Sequence, residues 1–592
     1  MMRTLLFSFF CFIFSIPASA QFWIPYPEIR QSTYAFHDAH GFFYSPSAPA
    51  PGELQALGSG SSNMFGDPFS RLQIQPANME AHSDDIQFFA EGGSLQAMPA
   101  TIYTEHVPVY TPDPRAITIR PPEQSPFSGS DERRIVQPAL NLGIVSSEDA
   151  FGIEGISFGG AYRLTYHDES FYDETNPYLF THSYSNLRFG FDNASAADMS
   201  TVDLYSFTSS DYVEHRGHEV QLFGTWQPNQ ARRYGLRVAG KMYENTGHLG
   251  KGDEDENLWG FNNVRNQEYS HIDINLGMQQ RLTKNRRLGI QFGWLYGLMQ
   301  QNIESNHFDH TVSPEEHVLI NRREHHIDES GHTWYTGADF HQQLSENRDF
   351  LMNYTFSWLN RDGTLETDRI FHRDHPPGIL LTDETRTASQ LGMPSGQSIN
   401  QNGEISGNRY LHKFNTTLRR VRDGRTEAAY GLRLTWLRDL FLSEEPYQLT
   451  TTPSSNEQVA VYEETGTLMW DHQINHFRLE LPALFSTGIY RSLNMLWGGN
   501  ITLETIDREE HRLAESVEVS TNQEISNNQA DRPIDISTDR SLSDSQIDLF
   551  GGLSLQPHDN LHLRVLSTPL RLQSELDIIA LHQVRFSMLF RI

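Results

Sequence analysis

The stretch "HIDINLGMQQRLTKNRRLGIQFGWLYGLM" (271–299) decides the fold. In its second half Leu288, Ile290, Phe292, Trp294, Tyr296 and Leu298 fall on every second position. Gly289, Gln291, Gly293 and Gly297 lie between them. A period of two is the signature of a strand with one apolar and one polar face. The first half alternates in the same way, and the polar link "TKNRR" between the halves reads as a tight turn. The stretch is therefore a β-hairpin with a wholly apolar side.

Five more hairpins of this kind follow from the same reading. They are 218–226 with 233–243, 333–344 with 350–359, 410–420 with 428–437, 476–485 with 492–505, and 547–555 with 561–567. The apolar face is carried by Phe350, Met352, Tyr354, Phe356 and Trp358 in one strand, and by Tyr430, Leu432, Leu434 and Trp436 in another. Short turns inside the hairpins alternate with long, acidic connections between them: 244–268, 302–330, 361–407 and 506–543. A sandwich gives no reason for every long connection to gather at one end. A transmembrane barrel does, with short turns on one side of the membrane and long loops on the other.

Composition narrows the class further. Net charge is −30, pI about 5.2 and mean hydropathy −0.52, which argue against a nucleic-acid partner. No apolar run of eighteen residues occurs outside the first twenty residues, so no membrane helix is expected. Met1–Ala20, with Arg3, an apolar run and a terminal Ala-Ser-Ala, reads as a secretory signal peptide. Cys11 within it is the sole cysteine, so no disulfide framework is expected. More than half of the 28 prolines lie between Gln21 and Pro138. Proline cannot donate to a sheet ladder, so 21–150 reads as an extension or plug.

The expected architecture is all-β: an up-and-down antiparallel transmembrane barrel over 151–592, of about 14 strands within a range of 12–16. It begins with 151–166 and closes on the last run, 581–592. The number would rise if "VDLYSFT" (202–208) were a strand. Val584, Phe586, Met588, Phe590 and Ile592 alternate to the end of the chain. This run resembles the C-terminal signature of bacterial outer-membrane β-barrels. That resemblance implies outer-membrane localisation, insertion by the barrel-assembly machinery, and lipid around the apolar face. Ile592 departs from the aromatic residue usual at the last position.

The faces opposite the apolar ones carry Glu219, Asp273, Arg281, Asp339, Lys413, Arg419, Arg433, Arg478, Glu480, Glu504, Asp548, Arg564 and Arg585. These are the candidate lumen-lining residues. They would set solute selectivity in an open pore, or fill the barrel by pairing with one another or with a plug. His307, His310, His325 and His326 are weak candidates for a transition-metal site, and their spacing matches no ligand motif, so no metal is expected. "GDEDE" (252–256) lacks the full calcium-loop pattern. No catalytic motif appears, so neither an enzyme nor a cofactor is expected. The expected function is a porin passing small solutes. The alternative is a closed barrel acting as a surface scaffold or adhesin through its long loops.

Overall fold

A computed structural model describes residues 75–78, 86–96, 98–99, 108–110, 117–119, 132–136, 139–146, 154–171, 177–180, 203–206, 212–251, 259–309, 318–374, 394–422, 426–453, 462–490, 492–521, 534–558, 560–573 and 578–591. Among the described residues sixteen antiparallel strands close a barrel, and two short strands, Met98–Pro99 and Glu132–Val136, join the same sheet beside its first strands. In chain order the sixteen are β1 (Gln87–Gln96), β2 (Ala139–Val145), β3 (Ile156–Phe171), β4 (Tyr212–Asn229), β5 (Arg232–Lys251), β6 (Trp259–Thr283), β7 (Arg286–Asp309) and β8 (Val318–Ser345). They continue as β9 (Arg348–Asp374), β10 (Pro394–Arg422), β11 (Thr426–Pro453), β12 (Tyr462–Tyr490), β13 (Leu493–Thr521), β14 (Ile534–His558), β15 (Leu561–Gln573) and β16 (Ile578–Arg591). Each pairs with its neighbours in sequence, and β16 pairs back onto β1, as in Phe88↔Phe590 and Gly92↔Phe586. Within the apolar band closure leaves no strand edge unpaired among the described residues, which hydrocarbon surroundings require.

All six hairpins read from the sequence are present. Three expectations are corrected. The barrel has sixteen strands, the top of the expected range, and what is corrected is their origin, since β1 and β2 come from the proline-rich stretch assigned to the extension. Leu140, Leu142 and Ile144 of β2 alternate correctly, but over seven residues only. Closure is therefore made by β1 and not by 151–166. Strand Asp203–Ser206 exists, but it pairs with Pro177–Phe180 outside the barrel. Finally, much of the sequence read as long loops is strand. β8 to β13 run 27–29 residues, where about ten suffice to cross a bilayer. Above the apolar band the outward face turns polar and the inward face mixes polar residues with a few buried apolar ones such as Ile327, Leu365 and Ile405, so the alternation that marks a strand fades while the backbone ladder continues.

The outward face shows where the membrane lies. On β7 the apolar positions run from Leu288 to Leu298 and give way to Gln300. Eleven residues at about 3.3 Å, tilted by about 40°, span roughly 25 Å, the height of a lipid-facing band. Aromatic residues border it on both sides. Near the short turns Trp226 stacks on Tyr234 at 5.8 Å and Phe485 on Trp497 at 4.3 Å. Near the far edge Tyr296 meets His332 at 4.7 Å, and His412 meets Trp436 at 4.9 Å. These are the two interfacial girdles of a membrane barrel. On β10 the strand continues some sixteen residues past the band, a rise of about 40 Å into solvent.

Candidate functional site

The candidate site is the inward wall of the barrel within the membrane band. Strand parity places Glu219, Asp273, Asp339, Arg433, Glu480 and Asp548 there, all buried. Lys413, Arg478, Glu504 and Arg564 share that face and are part-buried. Arg281 and Arg419 sit at the short-turn end, where Arg281 reaches the Lys284 carbonyl at 3.5 Å and Arg419 pairs with Glu427. Arg585 stands in register between Gly93 and Leu566, and its side chain lies outside the described residues.

The charges of this wall largely meet one another. Glu480 accepts from Arg433 at 3.3 Å and from Arg478 at 3.2 Å. His476 pairs with Glu504 on the next strand. Asp273, with no exposed surface, accepts from Arg237 at 3.0 Å and from the Tyr335 hydroxyl at 2.6 Å. Asp439 joins two arginines, Arg409 at 2.7 Å and Arg361 at 2.9 Å. The Arg361 guanidinium also lies 5.4 Å from the centroid of the Phe441 ring. Arg237, Tyr335, Arg361, Arg409 and Asp439 were not among the sequence candidates. Their parity was readable, but their partners were not. Arg237–Tyr335 spans three strands and Arg361–Asp439 spans two, so these contacts depend on barrel shape.

The wall is not polar throughout. Tyr269, Leu295, Met299, Ile327, Leu359 and Phe441 form a buried apolar strip on the inward face across β6 to β11. A second cluster, including Leu484, Leu496, Phe550 and Leu566, lines β12 to β15.

A segment from outside the sheet docks on this wall. Pro76–Asn78 is a single 3-10 turn, and with Gln75 it is buried against β4, β5 and β6. Three glycines make room for it. At Gly235 a Cβ would run into the Ala77 amide, and at Gly289 into the Gln75 carboxamide and Asp339. At Gly277 it would lie 2.9 Å from Gln75 Oε1. The Gln75 amide donates to Asp339, and Gln279 donates to Asn78 Oδ1 at 2.6 Å. Gly235, Gly277 and Gly289 lie close to the short turns, so the docked turn sits at that end of the interior.

Two other constellations are weaker. The metal candidates fall on strands β7 and β8 and not on a loop. His326 faces outward and bonds Asn302 and Asp328, the latter at 2.9 Å. His325 pairs with Ile303 and His307 with Asn321, four rows apart, and His310 lies outside the described residues. Among the described residues no three metal-ligating side chains come together. Ser554 and His562 touch at 2.6 Å, but Arg564, 3.5 Å from the other ring nitrogen, stands where a triad needs an orienting carboxylate.

A closed antiparallel barrel with a lipid-height apolar band outside, aromatic girdles and a largely polar interior is an outer-membrane β-barrel. Of the C-terminal signature, Phe586 and Phe590 face outward in this band, and Ile592 lies outside the described residues. No protein-family model matches the chain, and no curated protein does. Among solved structures it is similar to the Ralstonia pickettii toluene transporter TbuX, at 8% identity and a TM-score of 0.34, over 93% of this chain and 99% of that one. The monoaromatic hydrocarbon channel TodX, in a deletion mutant, gives 8% and 0.34 over 89% and 94%. The ferric-catecholate import receptor Fiu of E. coli gives 10% and 0.30 over 86% and 82%. At these values no detail of those proteins transfers to this chain.

Proposed function

We propose that this protein is an outer-membrane channel for small solutes, held narrow at its periplasmic end by the turn at Gln75–Asn78. The docked turn carries the reading. A barrel that served only as a membrane anchor has no need of a glycine-floored seat on its inner wall for a segment preceding its first strand. In this reading solutes pass along the polar interior, and displacement of the turn widens the path. Mutual pairing of the wall charges makes them struts that shape the interior more than free charges that select ions. Lipid contacts the outward face, and the barrel-assembly machinery inserts the chain through its last strand. No chemistry, metal or nucleic acid enters.

The test is single-channel conductance of refolded protein in a planar bilayer, with and without residues before Gln87. Discrete, salt-dependent steps that grow when the segment is removed support a gated channel. Silence from correctly folded protein of both forms refutes it.

One observation favours a second reading, a surface scaffold. The wall continues about 40 Å beyond the apolar band with a polar outward face. That is a firmer platform for a binding partner than mobile loops.

A further inference from the structure

We infer that the channel favours small anions over small cations, and that Lys413, midway up the inner wall, sets this preference. This rests on the channel reading above and specifies its substrate class. The charged clusters that brace the wall are not neutral. Glu480 holds two arginines, Arg433 and Arg478. Asp439 holds two more, Arg361 and Arg409. Glu219 stands in register between Arg163 and Lys241. Each cluster sets two cations against one carboxylate. Arginine keeps its charge in a protein interior, so deprotonation does not remove the surplus.

Lys413 adds to that surplus. It faces inward on β10, and Arg478 shares its register row on β12, with Thr435 between them. The charges acting on Lys413 are Arg433 and Glu480, and Glu480 is already held by both arginines. Among the described residues Lys413 makes no hydrogen bond or ion pair of its own. Its side chain is part-buried and not sealed, and that of Arg478 is 35% exposed, so a solute in the lumen reaches both. The acid beside them, Glu504, is the register partner of Arg478 and is held by His476. Asp339, Glu329 and Asp548 lie buried in the wall. The cation-rich faces also meet at one height. Arg163 and Arg433 are each the eighth residue from the short-turn end of β3 and β11, strands that stand eight apart in the ring of sixteen. Lys413 on β10 and Lys241 on β5 are each the tenth. A ring of like charge selects the opposite ion. The chain as a whole carries −30 and would draw cations, so an anion preference has to arise at this wall.

The experiment is the reversal potential of the refolded full mature chain in a planar bilayer under a tenfold potassium chloride gradient. Chloride is expected to permeate several times faster than potassium. A unit charge about 6 Å from a passing ion, in a near-aqueous dielectric, changes its local population roughly threefold to tenfold. Lys413→Gln should lower the chloride-to-potassium ratio by that factor, Lys413→Glu should lower it further, and Lys413→Arg should keep it. Lys284→Gln, at an exposed lysine of the β6–β7 turn, is the control and should leave the ratio unchanged. A heat-dependent gel shift verifies folding of each variant. A conducting channel that prefers potassium, or whose ratio ignores Lys413→Glu, overturns this inference and leaves the channel standing. Folded protein that conducts nothing overturns the channel and this inference together.

Discussion

The substitution Gly235→Ile separates the docked turn from the wall that holds it. Gly235 faces inward on β5, and any Cβ there meets the Ala77 amide and the Pro76 carbonyl carbon. Both are backbone atoms with nowhere to swing, so the turn must leave. The strand tolerates isoleucine, since β-branched residues suit a pleated surface. The hydrogen bonds holding the turn set the scale. The Gln75 amide donates to a carboxylate, worth about 1.5–3 kcal/mol, and the Gln279–Asn78 bond adds about 1 kcal/mol. Losing about 3 kcal/mol shifts the docked population by roughly a hundredfold. Hydrogen exchange read on a peptide covering 75–78 detects this directly, because the Asn78 amide donates to the Gln75 carbonyl at 3.1 Å only within the turn. Exchange there should accelerate by about two orders of magnitude, while the β5 and β6 ladders stay protected. Gly240→Ala is the control, since a Cβ at Gly240 meets nothing within 4 Å. Equal exchange in wild type and Gly235→Ile would refute the docked turn.

Three further outcomes follow from the same wall. Asp439→Asn strips the shared carboxylate from two buried guanidiniums, Arg361 and Arg409. It should lower stability in urea by about 3–5 kcal/mol, and an unchanged midpoint would contradict the burial of that pair. Ile290→Arg places a charge on the outward face at mid-band and should cost about 2–4 kcal/mol of stability in lipid vesicles. Full stability would move the membrane elsewhere on the barrel. Deletion of 21–86 should leave the heat-dependent gel shift intact, whereas deletion of 21–150 removes β1 and β2, unpairs β16 and should abolish it. Folding of the longer deletion would argue against closure by β1.

The sequence made the hairpins legible because each carries its own proof: two alternating runs and a polar turn. Leu288–Leu298 is readable without knowing what it touches. β1, "QFFAEGGSLQ", is not, since its outward set runs Phe88, Ala90, Gly92 and Ser94 and fades along the strand. Its place is fixed by β16, some five hundred residues away in the chain. The upper halves of β8 to β13 lost their periodicity because the outward face turns polar there and buried polar groups such as Arg361, Arg409 and Asp439 share the inward face with a few apolar ones, so hydropathy carries little signal while pairing persists. For the site, parity assigned the inward charges, including Asp273, Arg433 and Glu480. Their partners required the register and curvature of the closed wall, which no local pattern encodes. The turn at Pro76–Asn78 was the least visible feature. Three unremarkable residues acquire meaning only from Gly235, Gly277 and Gly289 on the wall they meet.

The most direct test of a gated channel is single-channel conductance of the refolded mature chain beside Gly235→Ile in the same bilayer. The account predicts small or infrequent steps from the wild type and larger or longer openings from Gly235→Ile, in proportion to salt. Identical traces, or silence from both folded proteins, would contradict it.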